Sequence, residues 1–459
     1  MKRRQILQGL GMMPALGIAG CGTAPSKRVL AAQPLVPDDA GVTVDRLRAA
    51  FYYAYPLFEF TRVEQARTNP DDVVPGKLNG VSIRAELMDH TSRRITGPNN
   101  DTIYTSVFFE LSGGPMEISV PTDHERYFSV AFMNAFTDNF AYIGTRATGG
   151  NGGIYWLCGP DWDGGVPEKV TLIRSDSNDV WMLARILVSG PEDLAEARKL
   201  QDQFVVRPTP GRGPVIPFEE KATLDFDARQ FLSVVGEVLR RSPGLHGQFA
   251  RSVQFTSLGI SPSSDLSESV LAAWDAFLPV GLTELREAFI YRDLVIDGWA
   301  YQERGVGDFG ENDKLRAAVA LGGIAALGEE EAMYFHANLD PDGEQLSGSH
   351  KYRWRVPAGG VPVDGFWSLT MYETQPDGKF FLTENPIGRY SIGDRTKGLV
   401  VNPDGSFDIY IQNERPEGPA AANWLPAPKG KMRLALRAYL PRKELLERTW
   451  NVPPLERVG

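Results

Sequence analysis

Apolar residues change their period along this chain, and the changes mark out its elements. From Val44 to Arg67, Leu47, Phe51, Ala54, Tyr55 and Phe58 recur at helical spacing. Pro56 lies inside that stretch and should kink or end a turn. Between about residues 80 and 190 the apolar runs shorten: Val107-Phe108-Phe109, Tyr127 to Phe132, Ile154-Tyr155-Trp156-Leu157. Gly, Pro, Asp and Asn bound them, which is the pattern of strands and turns. Helical periodicity returns over Phe226–Arg241, Ser267–Phe277 and Lys314–Ala326, and strand texture returns from Tyr352 onward.

The two β regions share landmarks. Val120-Pro121 precedes Tyr127-Phe128-Ser129-Val130, and Val356-Pro357 precedes Phe366-Trp367-Ser368-Leu369. Ala184-Arg185-Ile186 leads to Pro191 and Leu194, as Leu436-Arg437-Ala438 leads to Pro441 and Leu445. Matching landmarks in one order predict a duplication. The expected fold class is multidomain α+β: two related jelly-roll-like antiparallel β-sandwiches interleaved with helical segments. The expected boundaries are an N-terminal helical segment at 42–79, a first sandwich at 80–190, a helical segment at 191–336, and a second sandwich with a C-terminal tail at 337–459.

The start of the chain adds an address. Lys2, Arg3 and Arg4 precede an apolar stretch from Ile6 to Ala19, too short and too Gly/Pro-interrupted for a permanent span. Residues 1–20 therefore read as a signal peptide, and Arg3-Arg4-Gln5-Ile6-Leu7 resembles a twin-arginine signal. Ile18-Ala19-Gly20-Cys21 resembles a lipobox, with the Cys21 thiol as the site of lipidation by diacylglycerol and palmitate-type chains. Residues 21–41, rich in Ala, Pro, Ser and Gly, read as a flexible tether. The expectation is an exported lipoprotein held to a bacterial membrane through Cys21 on the periplasmic side. Gly22, in place of an acidic residue, allows the outer membrane.

The 459 residues suit roughly three folding units and large cores. A net charge of −10, or −13 once Lys2, Arg3 and Arg4 are removed, argues against a nucleic-acid partner. Besides Cys21 the chain has only Cys158, in an apolar run, which reads as a buried inert thiol.

Candidate chemistry is sparse. Gly305-Val306-Gly307-Asp308-Phe309-Gly310 matches G-x-G-x-x-G but lacks a good strand before it, so it reads as a loop and helix start with Glu311, Asn312 and Asp313 as caps. No G-x-S-x-G, P-loop, H-E-x-x-H or C-x-x-C occurs, and the five histidines are scattered. Asp340 and Asp342 offer carboxylates to a hard cation such as calcium, yet the same residues with Gly343 make a good turn. Asn100, Asp101 and Tyr104 gather hydrogen-bonding groups beside a strand. Arg389, Tyr390, Asn423 and Trp424 do so in Pro- and Gly-rich loops. Together these seven are the candidate ligand-binding set, expected on one concave surface between domains. Arg185 and Arg437, inside apolar runs, need partners and are expected to lock their sandwiches.

Gly97-Pro98-Asn99-Asn100-Asp101-Thr102-Ile103-Tyr104 resembles the signature of the N-terminal half of a bacterial family built from two adjoining domains of unknown function. Asp364-Gly365-Phe366-Trp367-Ser368-Leu369-Thr370, Asn385 to Tyr390 and Asn423 to Pro428 resemble its C-terminal half. The resemblance runs from about residue 45 to the end and implies two jelly-roll-like sandwiches interleaved with helical segments; it brings no settled activity and no agreed catalytic residues. The functional expectation is an envelope protein binding a small polar or amphipathic ligand in an inter-domain cleft. The alternative is a periplasmic hydrolase using Asp101 or His336 as its acid–base group, with an arginine to stabilise negative charge.

Overall fold

A computed structural model describes residues 41–69, 76–93, 96–242, 247–263, 266–290, 294–376 and 378–458. The expected signal peptide, Cys21 and nearly all of the tether lie outside these residues. Thr43 starts helix α1 (Val44–Thr68) by accepting a hydrogen bond from the Arg46 amide at 3.2 Å. The helix does not end at Pro56 but runs on through it to Thr68. Its surroundings over-determine it, because apolar residues on all its faces are buried: Phe51 meets Phe231 and Phe277, while Tyr53 meets Phe136 and Phe255. The helices it packs on are α3 (Ala228–Arg241), α4 (Glu268–Ile290) and α5 (Asp313–Gly323). No helix among the described residues is long and apolar enough to cross a membrane.

The first β region is a two-layer sandwich. Its larger sheet has the order β1 (Ser82–Arg84), β2 (Thr102–Glu110), β8 (Asp179–Leu187), β4 (Phe128–Asn134), β5 (Asn139–Gly144). Its smaller sheet has the order β7 (Val170–Arg174), β6 (Gly153–Cys158), β3 (Met116–Val120), β9 (Val205–Pro208). Ile103 and Val107 of β2, Val130 of β4 and Ile186 of β8 meet Ile118 and Leu157 of the smaller sheet in one buried core.

The second region repeats this plan. Its larger sheet runs β10 (Val295–Ile296), β11 (Trp299–Tyr301), β12 (Ala332–Ala337), β19 (Met432–Tyr439), β14 (Trp367–Thr374), β15 (Phe380–Leu382), with β16 (Ser391–Gly393) also on β14. Its smaller sheet runs β18 (Trp424–Pro426), β17 (Phe407–Gln412), β13 (Tyr352–Val356), β20 (Leu455–Arg457). Thus β2-β8-β4 corresponds to β12-β19-β14, and β7-β6-β3-β9 to β18-β17-β13-β20. Even the departures from antiparallel order agree: β6 and β7 are parallel, as are β17 and β18. A short helix follows the last strand of each larger sheet, α2 (Leu194–Gln201) after β8 and α6 (Lys443–Leu446) after β19.

Two boundaries move. Strand β9 lies beyond 190, and β10 to β12 lie within 191–336, the stretch expected to be helical. Strand β9 pairs with the distant β3 and β12 with the distant β19, while β10 and β11 are too short to show a period, so local periodicity could not reveal them. The outer faces of the larger sheets are buried as well, because they face each other. Tyr127, Ala131 and Leu187 of the first sandwich pack on Leu327, Phe366 and Tyr439 of the second. That is why every residue of β4 and β19 is buried rather than every second one.

Candidate functional site

Where the larger sheets face each other, the duplication places the same three residue types in the same register. Arg185 on β8 stands between Tyr104 on β2 and Ser129 on β4. Arg437 on β19 stands between Tyr334 on β12 and Ser368 on β14. Tyr104, Arg185, Tyr334, His336 and Arg437 all line a cavity of about 1440 Å³, walled also by α1 and α5. It exceeds the range of about 300–1,000 Å³ usual for small-molecule pockets. Its floor changes character along one strand pair: Tyr104 opposes Arg185, Ser106 opposes Leu183, and Phe108 opposes Trp181, with the last two rings stacked at 4.8 Å. At about 3.3 Å per residue, the charged and aromatic ends lie about 13 Å apart. Phe380 and Phe381 add apolar wall from the second sandwich.

The loop carrying Gly97-Pro98-Asn99-Asn100-Asp101 is docked on the second sandwich. Gly97 accepts from Arg437 Nη2 at 3.1 Å and Pro98 from the Tyr372 hydroxyl at 2.8 Å, both through their carbonyls, and Asn99 Nδ2 donates to the Tyr439 hydroxyl at 2.9 Å. Gly97 has φ +64°, and a Cβ there would stand 2.6 Å from the Phe380 ring, so only glycine fits. Asp101 is 3% exposed; Ser368 Oγ donates to it at 2.5 Å and Arg395 Nη2 at 3.1 Å. The equivalent acid of the second sandwich, Glu331, reaches back to the first. It accepts from the Tyr127 hydroxyl at 2.8 Å and from Arg146 Nε at 2.7 Å. Arg146 lies two residues after Gly144 and Arg395 two after Gly393, and these glycines oppose Ser129 and Ser368. Each half thus supplies the acid for the other half's arginine.

The two central arginines differ. Arg437 donates to Thr370 Oγ1 at 3.0 Å, to the Tyr372 hydroxyl at 2.7 Å and to Gly97. It ties β19 to β14 within its own sandwich and, through Gly97, to the loop of the other. Arg185 is equally buried, at 7% exposed, but only Nη2 is engaged, at 2.6 Å from the Ala325 carbonyl. Its Nη1 has no acceptor among the described residues, and it forms no ion pair among them. The register explains the contrast: Thr370 and Tyr372 correspond to Ala131 and Met133, which offer no acceptor.

The seven candidate ligand-binding residues do not share one surface. Only Tyr104 lines the cavity. Tyr390 packs in the same small cluster as Tyr104 and shares a hydrogen bond with His90 Nδ1, 2.8 Å away. Asn100 donates to the Met88 carbonyl, and Asp101 is consumed at the junction. Arg389 donates to the carbonyls of Ala422 and Trp424, Asn423 bridges Val400 and Asp408, and the Trp424 indole donates to Gln412. Polar groups in buried loops satisfy their own backbone first, so these residues fasten loops. Of the two candidate acid–base groups, Asp101 is off the cavity and His336 is on it.

The G-x-G-x-x-G segment is a loop before α5, and Asn312 caps that helix, its side chain accepting from the Leu315 amide at 3.2 Å. Asp340 Oδ1 accepts from the amides of Asp342 and Glu344, which is the turn. Among the described residues no group of three or more His, Cys, Asp or Glu could hold a metal. Cys158 is buried, and burial pushes its thiol pKa up. Sequence reasoning missed Tyr334, Glu331, Arg146 and Arg395. Their signal was present in the spacing: Glu331 precedes Tyr334 by three residues, as Asp101 precedes Tyr104.

Two copies of one β-sandwich, joined in a single chain and closed on each other around a cavity, define a duplicated-sandwich protein. The chain matches the protein of unknown function DUF1254 over residues 78–208 and the protein of unknown function DUF1214 over residues 331–443, and it belongs to the family that pairs them. The first match ends with β9. The fold is similar to the crystal structure of the VPA0106 protein from Vibrio parahaemolyticus: 24% identity, 91% of this chain and 100% of that one covered, TM-score 0.69. An uncharacterised protein from Burkholderia cenocepacia is similar at 13% identity, covering 89% of this chain and 88% of that one, with a TM-score of 0.45. No curated protein matches the chain.

Proposed function

We propose that this is a bacterial envelope lipoprotein that binds a small amphipathic molecule in the cavity between its two sandwiches. One observation carries the binding reading: a single cavity floor passes from Tyr104 and Arg185 to Phe108 and Trp181 over four residues of paired strand. A pocket with apolar walls and a few convergent polar groups is the common form of a small-molecule site. The anchor reading rests on the basic head and on Ile18-Ala19-Gly20-Cys21. Hydrolysis is the second reading, and it would rest on His336, the one candidate base that lines the cavity.

Mass spectrometry of protein purified from the membranes of its own host tests both parts. The native spectrum should show a retained small molecule, and the Cys21 peptide should carry the mass of its acyl groups. A Cys21→Ser variant that stays membrane-bound with unchanged mass would refute the anchor. A ligand-free spectrum that no extract of the host can shift would refute the binding site.

A further inference from the structure

Resting on that cavity-binding reading, we propose that the ligand is an organic anion, a carboxylate-headed amphiphile whose head is received by Arg185 and whose apolar body lies toward Phe108 and Trp181. The duplication supplies the argument. Arginine occupies the same position in both halves, and in the second half Thr370, Tyr372 and Gly97 satisfy it. In the first half those strand positions are Ala131 and Met133, so the equivalent guanidinium is buried with one hydrogen bond and an unused Nη1. A buried cation with no counter-ion among the described residues, held by one hydrogen bond and the Tyr104 ring 5.9 Å away, is costly. A bound carboxylate would relieve that cost, because its two oxygens match a guanidinium fork.

The cavity wall gives a second, independent reason. Eight Arg and Lys side chains line it against one carboxylate, Glu59, among the described residues, in a chain whose net charge is −10. Arg62 pairs with that carboxylate at 2.5 Å and Arg93 with Glu373, outside the lining, at 2.7 Å, so the net excess is smaller than the count of side chains. Positive charge has been collected where the molecule as a whole is negative, and such a site favours anions and disfavours cations. A neutral head supplies an acceptor without a counter-charge, and a cationic head supplies neither. An anionic head completes it.

Chain-matched probes decide the sign of the head. Full-length protein, freed of retained lipid, is titrated calorimetrically with dodecanoate, dodecan-1-ol and dodecyltrimethylammonium below their micelle concentrations. Dodecanoate should bind one per chain and at least about tenfold more tightly than the alcohol, the scale of one charge-assisted hydrogen bond. The ammonium should bind more weakly than either. In Arg185→Met, with folding confirmed by circular dichroism, acid and alcohol should bind alike. Equal binding of acid and alcohol by the unmodified protein would overturn the anionic head while leaving the cavity as a binding site. Should the probes bind equally well to a Ser106→Trp, Leu183→Trp double variant, which sets two large rings on the floor between Arg185 and Trp181, they bind elsewhere and the cavity reading itself falls. The comparison of probes on the unmodified protein stands even if either variant fails to fold.

Discussion

At the scale of single residues, one arginine holds the junction and its duplicate does not. Arg437→Met takes the donor from Thr370 Oγ1, the Tyr372 oxygen and the Gly97 carbonyl, so urea unfolding should show a loss of about 2–4 kcal/mol. Arg185→Met removes a buried cation with one hydrogen bond, and the same measurement should show no loss, or a gain. A similar loss at both positions would mean that Arg185 is as fully partnered as Arg437. Glu64 on α1 is another buried charge site, 1% exposed, near Asp179, Glu110, Glu237 and Arg241. Burial first, and then Asp179, raise its carboxyl pKa well above the ordinary value. Above about pH 4.3 the unfolded chain has lost this proton while the folded chain keeps it. Stability therefore falls as pH rises through that window, by up to about 1.4 kcal/mol per unit. Glu64→Gln should remove this component: its advantage over the unmodified protein in urea unfolding should grow from pH 5 to pH 7. A constant difference would show that Glu64 does not titrate there. None of this was legible residue by residue, since the sequence shows that an arginine stands in an apolar run but not whether anything accepts from it.

At the scale of elements, the latch between sandwiches consists of two loops that precede equivalent strands. Asp101, ahead of β2, and Glu331, ahead of β12, each accept hydrogen bonds from an arginine and a hydroxyl of the other half. Asp101→Asn and Glu331→Gln should each lower unfolding stability by about 2–4 kcal/mol and leave ligand retention per folded molecule unchanged. Lost retention in a fully stable Asp101→Asn protein would instead make Asp101 a binding residue. The duplication itself was readable, because Phe128-Ser129-Val130 and Trp367-Ser368-Leu369 keep the strand pattern and the central serine. Helices α3, α4 and α5 were readable from their period. What was hidden is what depends on distant pairing. The short strands β9, β10 and β11 carry too few residues to show a period, and Arg389, Asn423 and Trp424 resemble cleft residues until their carbonyl partners are seen.

At the scale of the whole molecule, the two exchanged ion pairs have a consequence for symmetry. An arrangement in which an acid of one half meets an arginine of the other, and the reverse, is how two identical subunits meet about a twofold axis. In a true homodimer every substitution appears twice, so both central arginines would have to remain alike. Dilution would also separate the halves. Here the halves are one chain, and the contact carries no association equilibrium. Each copy of the central arginine is free to change its surroundings alone. Thr370 and Tyr372 on one side, with Ala131 and Met133 on the other, are that freedom in use: a twofold frame retained for its strength, and a one-sided centre that can tell the two ends of a small molecule apart.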